Sequence, residues 1–142
     1  QCDPAWANDQ LGTSSNTICK AGCLMSSAAM ALSGTGHSYN PKTLNQWLKS
    51  NGGYVSGDLF VWTSINKLGL TFEGKVANSQ IKAKLDQGKV VICNVHNGAD
   101  ENRLALDFRA TLNRFASDPF YFAVDVSDSE FAFPVYAFAN GF

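Results

Sequence analysis

The stretch Ala21-Gly22-Cys23-Leu24-Met25-Ser26-Ser27-Ala28-Ala29-Met30-Ala31-Leu32 sets a thiol directly after a glycine, at the head of a run of small and apolar side chains. Such a run reads as a buried helix opening at Cys23 and closed by Gly34 and Gly36. The first turn of a helix carries backbone N–H groups without intrahelical acceptors and the positive end of the helix dipole. A thiolate is stabilised there, so the thiol pKa falls and Cys23 becomes a candidate nucleophile. The plain alternatives are a small buried apolar residue or one half of a disulfide.

Outward from that helix, Asn40-Pro41 predicts another. Asn caps, Pro suits the first helical position, Leu44, Trp47 and Leu48 share a face, and Gly52-Gly53 stops it. Asp58 is expected to cap a third helix, with Val61, Ile65 and Leu68 on one side and Gly69 at its end. Residues 70–76 read as a strand, Asn78 or Ser79 starts a short helix through Ile81 and Leu85 to Gly88, and residues 90–95 read as a buried strand. Asn97-Gly98 then predicts a tight turn.

Composition changes at that turn. Eleven of the twelve glycines fall in residues 1–98, whereas eight of the ten phenylalanines fall in residues 108–142, which makes the last third poor in turn residues and rich in core-forming rings. Leu104, Phe108, Leu112 and Phe115 fit one helical face, while residues 120–126 and 131–138 read as strands. Helices first and strands last predict an α+β fold, and the absence of repeats or linkers predicts one domain over residues 1–142.

With 45% hydrophobic and 16% charged residues the chain is expected to fold, and no apolar run is long enough to insert into a membrane. A net charge of −1 without a Lys/Arg cluster argues against nucleic acid as a partner. The four cysteines, Cys2, Cys19, Cys23 and Cys93, fit disulfides and thiols alike. If Cys23 is a reactive thiol, Cys2 with Cys19 is the natural bridge, and an oxidising compartment follows. A sequence opening at Gln1 without Met fits a processed, secreted protein.

Several short words recur in a familiar order: Gln1-Cys2-Asp3-Pro4-Ala5-Trp6-Ala7, Leu11-Gly12, Thr17-Ile18, Ala21-Gly22-Cys23, Ala28-Ala29-Met30-Ala31-Leu32, Asn40-Pro41 through Leu48, Asn51-Gly52-Gly53-Tyr54, and Gly88 through Val95. Over roughly residues 1–98 this string resembles the papain-like cysteine peptidases related to bacteriocin-processing peptidases. The resemblance implies a papain-like fold with N-terminal helices packed on a C-terminal antiparallel sheet. It also implies a thiol hydrolase with Cys23 as nucleophile, the Gln1 side-chain amide in the oxyanion hole, and Asp118 of Asp118-Pro119 as the carboxylate that orients the base. An N-terminal Gln readily cyclises and loses that amide, so the oxyanion role expects residues ahead of Gln1; otherwise the amide has another role.

A thiol hydrolase needs an imidazole to take and return the proton. In the family a strand like residues 90–95 leads through a short turn to that His, but here Asp100 stands near the position, followed by Glu101-Asn102-Arg103. A carboxylate beside Cys23 would raise the thiol pKa by like-charge repulsion, so Asp100 is not the base. Of the two histidines, His37 reads as a solvated loop residue, leaving His96 at the end of the strand as the candidate. Cys19 and Cys23, four apart, lack the tight pair that zinc sites favour, so no metal and no cofactor is expected. Trp6, Trp47, Tyr54 and Trp62 offer an aromatic patch for peptide or sugar, but Trp47 and Trp62, at helical spacings, read more as core.

The expected function is a secreted cysteine peptidase-like hydrolase that cleaves a peptide or other amide bond in a peptide or protein substrate, through an acyl-enzyme on Cys23. The alternative is a catalytically inactive relative that binds peptide in the same cleft or self-assembles as a structural surface protein.

Overall fold

The computed structural model describes residues 1–95, 123–126 and 135–140. Thr17 is extended and its hydroxyl accepts from the Lys20 amide, opening a one-turn helix, α1 (Ile18–Ala21), that the sequence reading did not anticipate. Gly22 ends α1 and serves as the N-cap of α2 (Cys23–Gly34), so the second helix begins at the expected cysteine. Ala28, Ala29 and Ala31 are buried along α2, and their small side chains bring its backbone close to its neighbours.

The next helix, α3 (Pro41–Ser50), is fixed by a reciprocal cap. Asn40 Oδ1 accepts from the Thr43 amide at 2.9 Å, while Thr43 Oγ1 accepts from the Asn40 amide at 3.0 Å. Leu44 and Leu48 are fully buried on one side of α3, and the polar Asn45 is buried beside them.

The third helix does not start at Asp58. A hairpin intervenes, with β1 (Tyr54–Val55) antiparallel to β2 (Leu59–Phe60) and Asp58 in the turn between them. Ser56 and Gly57 both take positive φ, 49° and 96°, as a tight connection requires. A 3-10 helix over Trp62–Leu68 follows, with Val61 at its N-cap and Gly69, left-handed, closing it.

Beyond the hairpin run β3 (Leu70–Val76), a 3-10 turn at Asn78–Gln80, α4 (Ile81–Asp86), β4 (Val90–Val95), β5 (Ala123–Val126) and β6 (Val135–Asn140). The last four strands form one sheet in the order β3-β6-β4-β5. β6 is antiparallel to β3 and β4, but β4 and β5 run parallel, so the sheet is not antiparallel throughout as expected. A parallel neighbour needs a crossover of a dozen or more residues, and the chain supplies residues 96–122 between β4 and β5. The predicted turn at Asn97-Gly98 and the helical face from Leu104 to Phe115 lie outside the described residues.

Alternation along β4 sorts the core. Val90 and Ile92 join Leu11, Ile18, Leu32, Leu44, Leu48 and Ile65 in the main cluster, while Val91 packs with Val76, Ile81 and Leu85. α2 therefore covers one face of the sheet and α4 the other. β3 changes face along its length because Glu73 is an extra residue between the pairs Phe72↔Phe138 and Gly74↔Ala137. Gly74, at φ +99°, permits the bulge. Phe72 thus packs on the main core, whereas Val76, at the same sequence parity, packs on the other side. The arrangement is mixed α+β.

Candidate active site

Cys23 is the first residue of α2, is half-buried and keeps its thiol. Gly22 before it brings no side chain to the helix end, so the amides of the first turn are left to other acceptors. Only glycine fits there: a Cβ on Gly22 would meet the Ile18 carbonyl oxygen at 2.6 Å. The tight approach of α1 to the head of α2 sets Cys23 at the junction of the two helices.

Cys2 and Cys19 are joined in a disulfide, Cα to Cα 4.4 Å. That bond takes Cys19 out of any thiolate pair with Cys23, and among the described residues no three His, Cys, Asp or Glu side chains group as metal ligands. The Gln1 amide Nε2 donates to the Cys19 carbonyl at 2.6 Å. Gln1 thus engages a main-chain oxygen in the turn before Cys23, where its amide ties down the end of α1.

Cys23 lines a cavity of about 340 Å³ together with Leu24 and Met25 of α2, Leu11 and Asn16 of the loop before α1, and Tyr54, Asp58, Leu59 and Phe60 of the β1–β2 hairpin. Two hydrogen-bond networks hold its walls. In the first, Asn16 Nδ2 donates to Asp58 Oδ2 at 2.8 Å. The hydrogen bond from Asn16 and, less strongly, the nearby Ser14 hydroxyl hold the Asp58 carboxyl below the usual carboxylate range. In the second, the buried Asn45 of α3 donates to the Gln10 carbonyl at 2.9 Å and accepts from the Gly12 amide at 3.0 Å and the Tyr54 hydroxyl at 2.9 Å. Burial first, and then the Asp58 charge, push the Tyr54 phenol well above its ordinary pKa, so it remains a donor.

The hairpin wall is braced by rings. Phe60 meets Trp62 edge to face at 5.6 Å between centroids, and Trp62 stacks on Phe72 of β3 at 5.4 Å. Leu59 at 59% and Val55 at 55% exposure, paired across the hairpin, leave an apolar rim beside the cavity.

His37 is not placed to serve Cys23. Its amide bonds the Leu32 carbonyl and its ring lies against Gly69, beyond the far end of α2, a helix that rises about 16 Å from Cys23. His96 follows the last residue of β4, and Asp118 precedes β5; both, with Asp100, lie outside the described residues. The cavity brings together Cys23 with Asp58, Asn16, Tyr54 and, through Tyr54, Asn45; the sequence reading gave Tyr54 a place in an aromatic patch and the other three no site role. The available signal was Ser56-Gly57 between Tyr54-Val55 and Leu59-Phe60, a hairpin pattern that carries Asp58 out of a helix cap.

Neither protein-family models, nor curated proteins, nor solved structures give a match to this chain.

Proposed function

We propose that this chain is a cysteine-dependent hydrolase domain of papain-like design, acting on a peptide or other amide bond outside the reducing cytoplasm. The observation that carries this reading is the Cys23 thiol at the first position of α2 on the wall of a cavity, with the Cys2–Cys19 bridge accounting for its two neighbouring cysteines. The bridge also supports an oxidising compartment. In the proposed reaction the Cys23 thiolate attacks the carbonyl carbon, forming a C–S bond, and the tetrahedral oxyanion is received by N–H groups at the head of α2. The amine leaves with the proton taken from the thiol, and water then releases the acyl group and restores the thiol. His96 is the proposed proton carrier and Asp118 its orienting partner. The Gln1 amide has one N–H committed to Cys19 and a second to offer.

Asp58 favours a second reading. An ionised carboxylate in the same cavity opposes formation of a thiolate, and suits a site that binds peptide without cutting it.

Alkylation with iodoacetamide at pH 6, followed by peptide mapping, separates the two. A hydrolase predicts Cys23 modified at least tenfold faster than Cys93, and turnover of quenched fluorescent peptides lost in Cys23→Ala and His96→Ala. Equal labelling of the two cysteines removes the hydrolase reading and leaves the binding one.

A further inference from the structure

The cavity beside Cys23 carries a charge that the described residues around it orient without neutralising. The group that holds the Asp58 carboxylate, the Asn16 amide, is neutral, and so is the nearby Ser14 hydroxyl. Among the described residues the ion pairs are Lys42–Asp9, Lys82–Asp86, Lys84–Glu73 and Lys89–Glu73, so no Lys or Arg answers Asp58. Next to it the walls are apolar, made by Leu24, Met25, Leu59 and Phe60. At about 340 Å³ the space suits a side chain or a short peptide end.

We propose that Asp58 is the specificity residue of this cavity, receiving a cationic nitrogen of a peptide whose aliphatic stem lies along Leu24, Met25, Leu59 and Phe60. An alkylammonium group joins a flexible apolar stem to a compact charge, which matches apolar walls ending in a carboxylate. The nitrogen comes from a lysine side chain or from a peptide amino terminus. The Asn16 hydrogen bond orients the carboxylate before the ligand arrives, so less ordering is left to binding. This assignment rests on reading the Cys23 cavity as the peptide cleft, and goes further by naming what the cleft selects.

The test is equilibrium binding to the full chain carrying Cys23→Ser, which prevents turnover. The probes are alanine tetrapeptides labelled at the C-terminus, with one lysine or one norleucine at each position in turn, free or acetylated at the amino end. Acetylated lysine peptides are expected to bind about tenfold more tightly than their norleucine counterparts in at least one position. If the amino terminus is the source instead, acetylating the lysine-free peptide weakens binding by a similar factor. Asp58→Asn, which keeps the shape and removes the charge, brings either ratio close to one. Binding indifferent to both charges overturns the proposal, as does a preference that survives Asp58→Asn. The lysine-to-norleucine comparison is made with Asp58 intact, so it decides even if the variant fails to fold. Charge selectivity in a protein whose Cys23 proves unreactive supports the subsite and removes only the hydrolase; peptide turnover indifferent to charge does the reverse.

Discussion

Tyr54 concentrates the chemistry of the cavity wall in one hydroxyl. Its phenol is half-buried, donates to Asn45 Oδ1 at 2.9 Å and faces the Asp58 charge, and each of these favours the protonated form. The unfolded chain ionises its tyrosines near pH 10, whereas folded Tyr54 keeps its proton above that point. The folded state then binds more protons than the unfolded one, so stability must fall as pH rises from about 10. Below that pH the contribution is fully present. Tyr54→Phe removes the group, so urea unfolding followed from pH 9 to 11.5 should show a shallower decline than in the parent chain. Equal slopes would mean that Tyr54 titrates as an ordinary surface phenol.

Among the elements, α3 does more than supply core leucines. Asn45, 3% exposed, stands between Leu44 and Leu48 and reaches across to the loop before α1 and to the hairpin, so one side chain ties three segments around the cavity. Asn45→Ala leaves the buried Gly12 amide without an acceptor and takes a partner from the half-buried Tyr54 hydroxyl and the Gln10 carbonyl, and should cost about 2–3 kcal/mol in chemical unfolding. A loss under about 1 kcal/mol would mean that the loop and hairpin find other partners. The bounds of α3 were readable from Asn40-Pro41 and the leucine spacing because they are local signals. The role of Asn45 was not, since its partners are 33 and 35 positions back and 9 ahead in the chain. The same distinction applies elsewhere. Residues 70–76 read correctly as a strand, but the change of face at Glu73 depends on the register with β6, which no alternation within the segment records. Asp58 misled because Asp before apolar residues looks like a cap, whereas the Ser56-Gly57 turn and the bond to Asn16 had the stronger claim on it.

At the scale of the whole molecule, Cys23 depends on how residues 1–22 are tied to the body. That segment is anchored by Leu11 and Ile18 in the core, by an antiparallel bridge between Gln10 and Thr17, and by main-chain bonds from Ile18 to Asp9 and from Cys19 to Ala7. The Cys2–Cys19 bond, across 17 positions, closes this loop covalently one turn before the thiol. Its effect on the unfolded chain is a loss of loop entropy worth about 3 kcal/mol. Replacing both cysteines with serine should therefore lower Tm by roughly 10 °C for a chain of this size. The anchors at Leu11 and Ile18 remain, so the variant should still fold, and iodoacetamide should still find Cys23 on an accessible cavity wall. If the variant keeps its Tm, the non-covalent anchors already hold the loop and the bridge matters mainly as a mark of compartment. If it folds but loses the labelling preference of Cys23, the bridge is what holds α1 against the head of α2, and the Gly22 junction cannot place the thiol alone.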